Sequence, residues 1–175
     1  MAIRTLDFFD TRLGNRHHSQ AGALAAWRND EILFELWLKP AFHGSPNTIG
    51  SEQFVSVISD DLVPDLLISA TRGEHTELAA IDAKAWAKML PEDVLTQGAK
   101  YLYGIRRHPD KAIVPALSSA LIVTSAVRPH AIESDLAKLH VVRSTPTSEQ
   151  STLDVRLDAL ITELRETLAN REREA

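Results

Sequence analysis

The sequence predicts an α/β protein in which a mixed central β-sheet is flanked by helices. Short apolar segments at residues 61–69, 77–86 and 120–124 are bounded by proline, glycine or polar residues, as strands are. Two other segments carry helix signals, a first turn of Pro91 followed by acids and a leucine stripe at residues 153–168. With 175 residues, 44% of them hydrophobic, the chain is long enough for one core.

The N-terminal third is predicted to hold an arm, a helix, a loop and a strand. Residues 1–20 are polar and irregular. Residues 21–39 predict a helix that ends before Pro40, because proline cannot continue a helix. Residues 42–51 are rich in turn formers and predict a loop. Residues 52–59 alternate loosely between apolar and polar types and predict a strand.

A hairpin is predicted in the middle of the chain. Its first strand, at residues 61–69, is entered through Pro64, and its second covers residues 77–86. The turn between them contains Thr-Arg-Gly at residues 71–73. Strands joined in this way pair with each other, so the hairpin fixes which of their residues lie side by side.

The second strand of this hairpin separates its polar and apolar side chains. Successive side chains of a strand point to opposite faces, so Asp82 and Lys84 share one face while Ala79 and Ile81 share the other. We expect the hairpin to bring Asp65 of the first strand beside Asp82. The sequence therefore predicts two carboxylates and an ammonium at one end of the sheet.

The C-terminal half is predicted to add a helix, two strands and a final helix. The first helix begins near Pro91 and runs to about residue 107. Residues 112–127 contain a central buried strand, and residues 139–143 form another. Ser151 or Thr152 caps the last helix.

Three parts of the chain are thus predicted: an arm at 1–20, a core at 21–144, and a linker with an amphipathic helix at 145–175. The stripe of the last helix either packs on this core or pairs with a second copy or a partner, and the polar linker slightly favours pairing. The stripe consists of Leu153, Leu157, Leu160, Ile161, Leu164 and Leu168.

The order Pro64-Asp65 and then Asp82-x-Lys84 resembles the PD-(D/E)xK nuclease superfamily. Gln97-x-x-x-Tyr101 on the following helix resembles an additional motif of its RecB-like members. Glu35, which lies between aromatic residues in the segment 32–38, resembles the acid in the first helix of McrC-like domains. The resemblance covers roughly residues 22 to 125.

This resemblance implies a restriction-endonuclease-like core and a nuclease that uses Mg²⁺ or Mn²⁺ to hydrolyse DNA, with RNA left open as a substrate. Asp65, Asp82, Glu35 and the backbone carbonyl of Ala83 would hold the metal. Lys84 would orient or activate the attacking water. Gln97 and Tyr101, the remaining catalytic candidates, would position the backbone. Restriction-type relatives favour a role in phage defence or DNA processing, as part of a larger complex or as a homodimer.

Charge and composition limit these expectations. A net charge of −5 opposes binding to phosphates, so a nucleic-acid surface must come from local clusters of cations. The candidates for it are Lys100, Arg106 and Arg107. The chain has no cysteine, which excludes disulfides and thiolate-bound zinc or iron–sulfur clusters. It also shows no signal peptide and no apolar run of about 20 residues, so we expect a cytoplasmic protein without membrane contact.

Each candidate also has a purely structural interpretation. Asp65 after a proline is typical of a turn, Asp82 and Lys84 of a solvent-facing strand pair, and Glu35 of a helix surface. Gln97 and Tyr101 could be an ordinary half-buried pair, since residues four apart share a helix face. A non-catalytic nuclease-like module that binds nucleic acid or assembles a complex is the alternative function. The presence of both Asp82 and Lys84 favours the enzyme.

Overall fold

A computed structural model describes residues 23–29, 31–58, 61–85, 91–109, 116–124, 138–143 and 152–174. These residues form nine strands and two helices. The elements are β1 (Ala23–Asn29), β2 (Ile32–Leu38), β3 (Asn47–Ile49), β4 (Glu52–Ser56), β5 (Leu66–Arg72), β6 (His75–Lys84), α1 (Pro91–Gly104), β7 (Ile105–His108), β8 (Leu117–Thr124), β9 (Leu139–Arg143) and α2 (Thr152–Glu174).

Six of these strands form a mixed sheet with the order β1-β2-β5-β6-β8-β9. The pairs from β1 to β6 are antiparallel, whereas β8 runs parallel to both β6 and β9. β3, β4 and β7 form a separate antiparallel sheet of three strands. The prediction of an α/β fold with a mixed central sheet is confirmed.

The predicted hairpin is β5 and β6, which pair from Leu66 opposite Ile81 to Arg72 opposite His75. Gly73 has a φ of +58° in the connecting turn, a conformation that glycine adopts without steric cost. The chain then passes through α1 and β7 before it returns as β8, parallel to β6. A parallel return requires such a crossover, because a tight turn can join only antiparallel strands.

The predicted alternation along β6 is confirmed by the two cores of the protein. Leu78 and Ala80 lie in a cluster that includes Tyr101 and Leu102 of α1. Ala79 and Ile81 of the same strand lie in a second cluster that includes the leucines of α2. The sheet is therefore covered by α1 and the small sheet on one face and by α2 on the other.

The predicted helix at residues 21–39 is wrong, because the described residues 23–29 and 32–38 of this segment form β1 and β2, which pair antiparallel. Phe34 is buried in the core cluster that contains the leucines of α2, whereas Trp37 is buried in the cluster that contains residues of α1. Both faces of β2 are therefore covered. A strand between two layers has no polar face, and its near-continuous apolar run resembles that of a buried helix. The stacked rings of Trp27 and Phe34, with centroids 5.4 Å apart, join the two strands.

Other boundaries also differ from the prediction. The first hairpin strand covers Leu66–Arg72 rather than residues 61–69, so Thr71 and Arg72 lie in the strand and not in the turn. α1 ends at Gly104 rather than near residue 107, and the chain continues directly as β7, which pairs with β4. The strand predicted at residues 52–59 exists as β4 but belongs to the small sheet. The predicted arm at residues 1–20 and the linker at 144–151 lie outside the described residues.

The leucine stripe of α2 packs on the sheet of its own chain. Leu160, Ile161, Leu164 and Leu168 are buried against side chains of the central strands. Their apolar surface is therefore covered without a second copy, which corrects the expectation that the stripe faces a partner.

Charged groups join α2 to both sheets. Glu77 of β6 is 3% exposed, and its Oε1 accepts from Arg171 of α2 at 2.9 Å and from Arg107 of β7 at 2.7 Å. Arg171 also donates to Glu52 of β4 at 3.0 Å. Ser118 of β8 donates to the second oxygen of Glu77 at 2.7 Å. These hydrogen bonds satisfy the oxygens of Glu77, as a buried carboxylate requires.

Truncation of Leu164 tests the packing of α2. Leu164 is fully buried, so Leu164→Ala should lower the free energy of unfolding by about 2–5 kcal/mol, the usual effect of a cavity in a core. Val155→Ala, at a residue of the same helix that is 54% exposed, should change it by less than about 1 kcal/mol. Urea unfolding followed by circular dichroism measures both, and equal stabilities for the two variants would show that α2 is not part of the core.

Candidate active site

Asp65 and Asp82 lie next to each other at one end of the β5–β6 hairpin. Leu66 is the Cα partner of Ile81, so Asp65 and Asp82 occupy the next opposed positions, on the face that α1 covers. The Asp65 Oδ2 atom accepts a hydrogen bond of 2.9 Å from the amide of Ala83. This bond extends the strand pairing to Asp65 and holds its carboxylate beside that of Asp82.

The environment of Asp82 opposes its ionisation. Burial raises the pKa of Asp82 above its usual value, because the charged form loses hydration. The nearby Lys84 ammonium acts in the opposite direction, and the Asp65 carboxylate, within hydrogen-bonding reach, adds to the increase. The net result is a raised pKa for Asp82, as expected where two carboxylates share a small space.

Lys84 supplies the positive charge of this group. Its Nζ atom lies 2.6 Å from Asp82 Oδ2, and its side chain is 25% exposed whereas that of Asp82 is 3% exposed. The two side chains therefore share a strand face, as their spacing predicted. An ammonium so placed is accessible at the rim while it balances the buried acid.

Tyr101 of α1 closes the site from the helix side. Its hydroxyl donates to the carbonyl of Val63 at 3.3 Å, two residues before Asp65. Burial, followed by the negative charges of Asp82 and Asp65, raises the pKa of Tyr101 far above its usual range. Tyr101 therefore remains a neutral hydroxyl. Gln97 is half-buried one turn earlier on the same helix face.

Glu35 does not join the acid pair. It lies on β2 opposite Ser69 of β5, four residues along the strand from Asp65. At about 3.3 Å per residue, this separation is roughly 13 Å. Glu35 is instead enclosed in the sheet, where the hydroxyl of Ser69 donates to it at 3.5 Å and accepts from the Trp37 indole at 3.0 Å. The placement of Glu35 on a helix at the metal is therefore wrong.

The three basic residues predicted to bind nucleic acid differ in their surroundings. Arg107 donates to Glu77 at 2.7 Å and its side chain is 14% exposed, so its guanidinium is engaged within the protein rather than offered to a phosphate. Lys100 places its ammonium 4.9 Å from the centre of the ring of Tyr101, the residue that closes the site. Arg106 is partly exposed on β7.

The arrangement fits a hard divalent cation. Within the described ranges, no cluster of three or more histidine, aspartate or glutamate side chains is arranged to hold a metal. Mg²⁺, however, keeps several waters and is commonly bound by one or two carboxylates together with substrate phosphates. Asp65 and Asp82 supply such a pair, and a cation between them would relieve the repulsion that raises the pKa of Asp82.

Sequence reasoning missed Lys39, which borders the site. Its amide donates to the carbonyl of Asp65 at 3.0 Å, and its φ of +47° lies in the left-handed region that side chains other than glycine seldom adopt. A cavity of about 640 Å³ opens beside it and is lined by residues 37–41, 43 and 45–48. The sequence placed Lys39 at the end of the predicted helix, and the only signal near it was Pro40 and the turn-rich loop predicted at residues 42–51.

Comparisons with protein families, with curated proteins and with solved structures found no match to the chain. Neither of the described helices is long and apolar enough to cross a membrane.

The buried Glu35 should make stability depend on pH. Burial raises the pKa of Glu35 in the folded protein. The stabilisation that the protonated Glu35 gives is therefore complete at a pH below its unfolded pKa, near 4.5, and is lost as the pH rises through its folded pKa. Glu35→Gln removes this loss, and the stability of the variant relative to the wild type should increase from pH 4 to pH 8. Glu31→Gln, at a side chain that is 84% exposed, is the control. Urea unfolding across this pH range measures both, and parallel curves for Glu35→Gln and the wild type would contradict the prediction.

Proposed function

We propose that the protein is a nuclease that uses Mg²⁺ or Mn²⁺ to hydrolyse phosphodiester bonds of DNA. The observation that carries this proposal is the convergence of Asp65, Asp82, Lys84 and Tyr101 at one end of one sheet face. Hydrolysis of a phosphodiester requires a nucleophile stronger than neutral water and compensation for the negative charge that develops on the phosphate. Two carboxylates can hold a cation that makes water a stronger nucleophile. An adjacent ammonium can help to compensate the negative charge on the phosphate.

Asp65 and Asp82 are the residues that would hold the metal. Asp65 uses Oδ2 for the Ala83 amide, so its Oδ1 atom is the oxygen to offer, and Asp82 adds a buried carboxylate beside it. A bound divalent cation would supply Lewis-acid stabilisation of the phosphate and make water a better nucleophile. By the resemblance, the carbonyl of Ala83 adds a further oxygen.

Lys84 acts as a fixed positive charge. Its ammonium is held by Asp82 at 2.6 Å and remains partly exposed, so it can donate a hydrogen bond to a phosphate oxygen or to the attacking water. Its position is set by the strand rather than by a loop. This restricts the reorganisation needed when the substrate binds.

Tyr101 and Gln97 position the acids. The hydroxyl of Tyr101 binds the carbonyl of Val63 and thereby holds the segment that leads into Asp65 against α1. Gln97 shares this helix face and contributes to its polar lining. The restriction-type resemblance favours phage defence or DNA processing as the biological setting.

The alternative is a nuclease-like module that binds nucleic acid without cleaving it. One observation favours this alternative, since the 2.6 Å contact between Lys84 and Asp82 already balances the charge of the buried acid within the protein. A purely structural ion pair would have the same geometry. The position of Asp65 favours the enzyme, because a structural ion pair needs one acid, whereas here a second carboxylate is held beside Asp82 by the Ala83 amide.

Substitution of the acid and of the lysine tests catalysis. With Mg²⁺ or Mn²⁺, the wild type should cleave DNA, and Asp82→Ala and Lys84→Ala should each reduce the rate by at least about 100-fold, since each removes a group at the reacting phosphate. Circular and linear DNA are used side by side, because cleavage of the circle shows that no end is required. Asp82→Asn keeps the shape of the side chain and separates loss of charge from loss of packing.

Glu74→Ala and Lys138→Ala are the matched controls, because both residues are exposed and lie away from the acid pair. They should cleave at the wild-type rate. DNA binding without cleavage by the wild type would support the non-catalytic module. Equal cleavage by the wild type and by both site variants would assign the activity to another site or to a contaminant.

A further inference from the structure

The cavity beside Lys39, hereafter the loop cavity, adjoins the acid pair through the sheet. Leu38, which lines it, is the Cα partner of Leu66, and the Lys39 amide binds the carbonyl of Asp65 at 3.0 Å. Neighbouring strands lie about 4.8 Å apart, so one wall of the cavity is a single strand away from Asp65. Any group bound there is a near neighbour of a phosphate held at Asp65.

The loop cavity presents cationic and hydrogen-bonding groups. Among the described side chains, no carboxylate lies within 4.0 Å of the Lys39 ammonium, and the residue is exposed. Its left-handed backbone is the type of strain that accumulates at ligand sites. His43 on the same wall is oriented by Asp61, whose Oδ1 lies 2.6 Å from His43 Nδ1. Nδ1 faces the Asp61 carboxylate, so Nε2 is the ring atom left for a ligand, and it donates to an anion in the imidazolium form, in which both ring nitrogens carry a proton.

The loop cavity also offers apolar walls with a fixed amide. Leu38, Pro40 and Pro46, which are exposed or partly exposed, contribute apolar surface. The Asn47 side chain donates from Nδ2 to the carbonyl of Ala41 at 3.1 Å, which leaves its oxygen as an acceptor for a ligand. At about 640 Å³, the cavity is within the usual size of small-molecule sites. A flat ring with an attached anion is the ligand that these groups suit together.

We propose that the loop cavity binds the nucleotide that flanks the scissile phosphate. The base lies between the apolar walls, and Lys39 and His43 bind the phosphate next to the one that is cleaved. This inference rests on the proposed nuclease function for its place in the reaction, whereas binding of a nucleotide can be measured without any cleavage. The loop cavity also offers the substrate a positive charge, that of Lys39. Arg107 does not offer one, because it is paired with Glu77.

Titration with deoxyadenosine monophosphate in the absence of metal tests the proposal. The full chain should bind it at least about tenfold more tightly than deoxyadenosine or inorganic phosphate, because only the nucleotide uses both the walls and the cations. Lys39→Asn and His43→Gln should each weaken binding by about tenfold, and asparagine tolerates the left-handed backbone at position 39. Lys138→Asn, on a distant exposed lysine, should bind as the wild type does. Calorimetry gives the affinities, and circular dichroism checks that each variant is folded.

The outcomes separate this inference from the proposed function. Nucleotide binding that depends on Lys39 and His43, in a chain that cleaves no DNA, would support the cavity and reject the nuclease. Cleavage that depends on Asp82, together with equal nucleotide affinities for the wild type and Lys39→Asn, would overturn the cavity and leave the nuclease. Phosphate that binds as tightly as the nucleotide would overturn the proposal of a site for the base. If both proposals hold, Lys39→Asn should raise KM for linear DNA with little change in kcat.

Discussion

The buried carboxylate of Glu77 is the group on which the assembly of the three layers depends. It is 3% exposed, and the guanidinium groups of Arg107 and Arg171 together with the hydroxyl of Ser118 satisfy its oxygens. These partners come from the small sheet, from α2 and from β8, so one acid joins all of them to β6. Removal of one partner of such a group typically costs about 3–5 kcal/mol, because a charge is left buried without compensation. The position of β6 is therefore fixed from several directions.

β6 then carries a second acid at its other end, in a different electrostatic setting. Glu77 is bound by Arg171 of α2, whereas Asp82 lies beside Tyr101 of α1 and is paired with Lys84. Burial, together with the adjacent Asp65 carboxylate, raises the pKa of Asp82 against the opposing effect of Lys84. One strand thus combines a neutralised acid that supports the fold with an acid whose charge is only partly balanced. The surroundings of Asp82, rather than those of Glu77, suit the binding of a cation or a substrate.

The same network limits how the protein can hold a nucleic acid. The chain carries a net charge of −5, and Arg107 and Arg171 are committed to Glu52 and Glu77. The described part of the site would, in the proposed function, contact phosphates through Lys84 and Lys39, which predicts a weak dependence of binding on salt. In the proposed function, affinity would then come from the metal and from contacts to the base rather than from a basic surface.

Local periodicity determined much of the fold and part of the site. A period of two places Asp82 and Lys84 on one face, the hairpin signals place Asp65 opposite Asp82, and a helical stripe predicts α2. The tertiary structure alone decided that residues 23–29 and 32–38 are strands, since an apolar run covered on both sides has the same composition in either conformation. It likewise separated Glu35 from Asp65 and engaged Arg107 with Glu77. Side-chain direction follows from neighbours in sequence, whereas these distances depend on pairing between segments that are far apart in the chain.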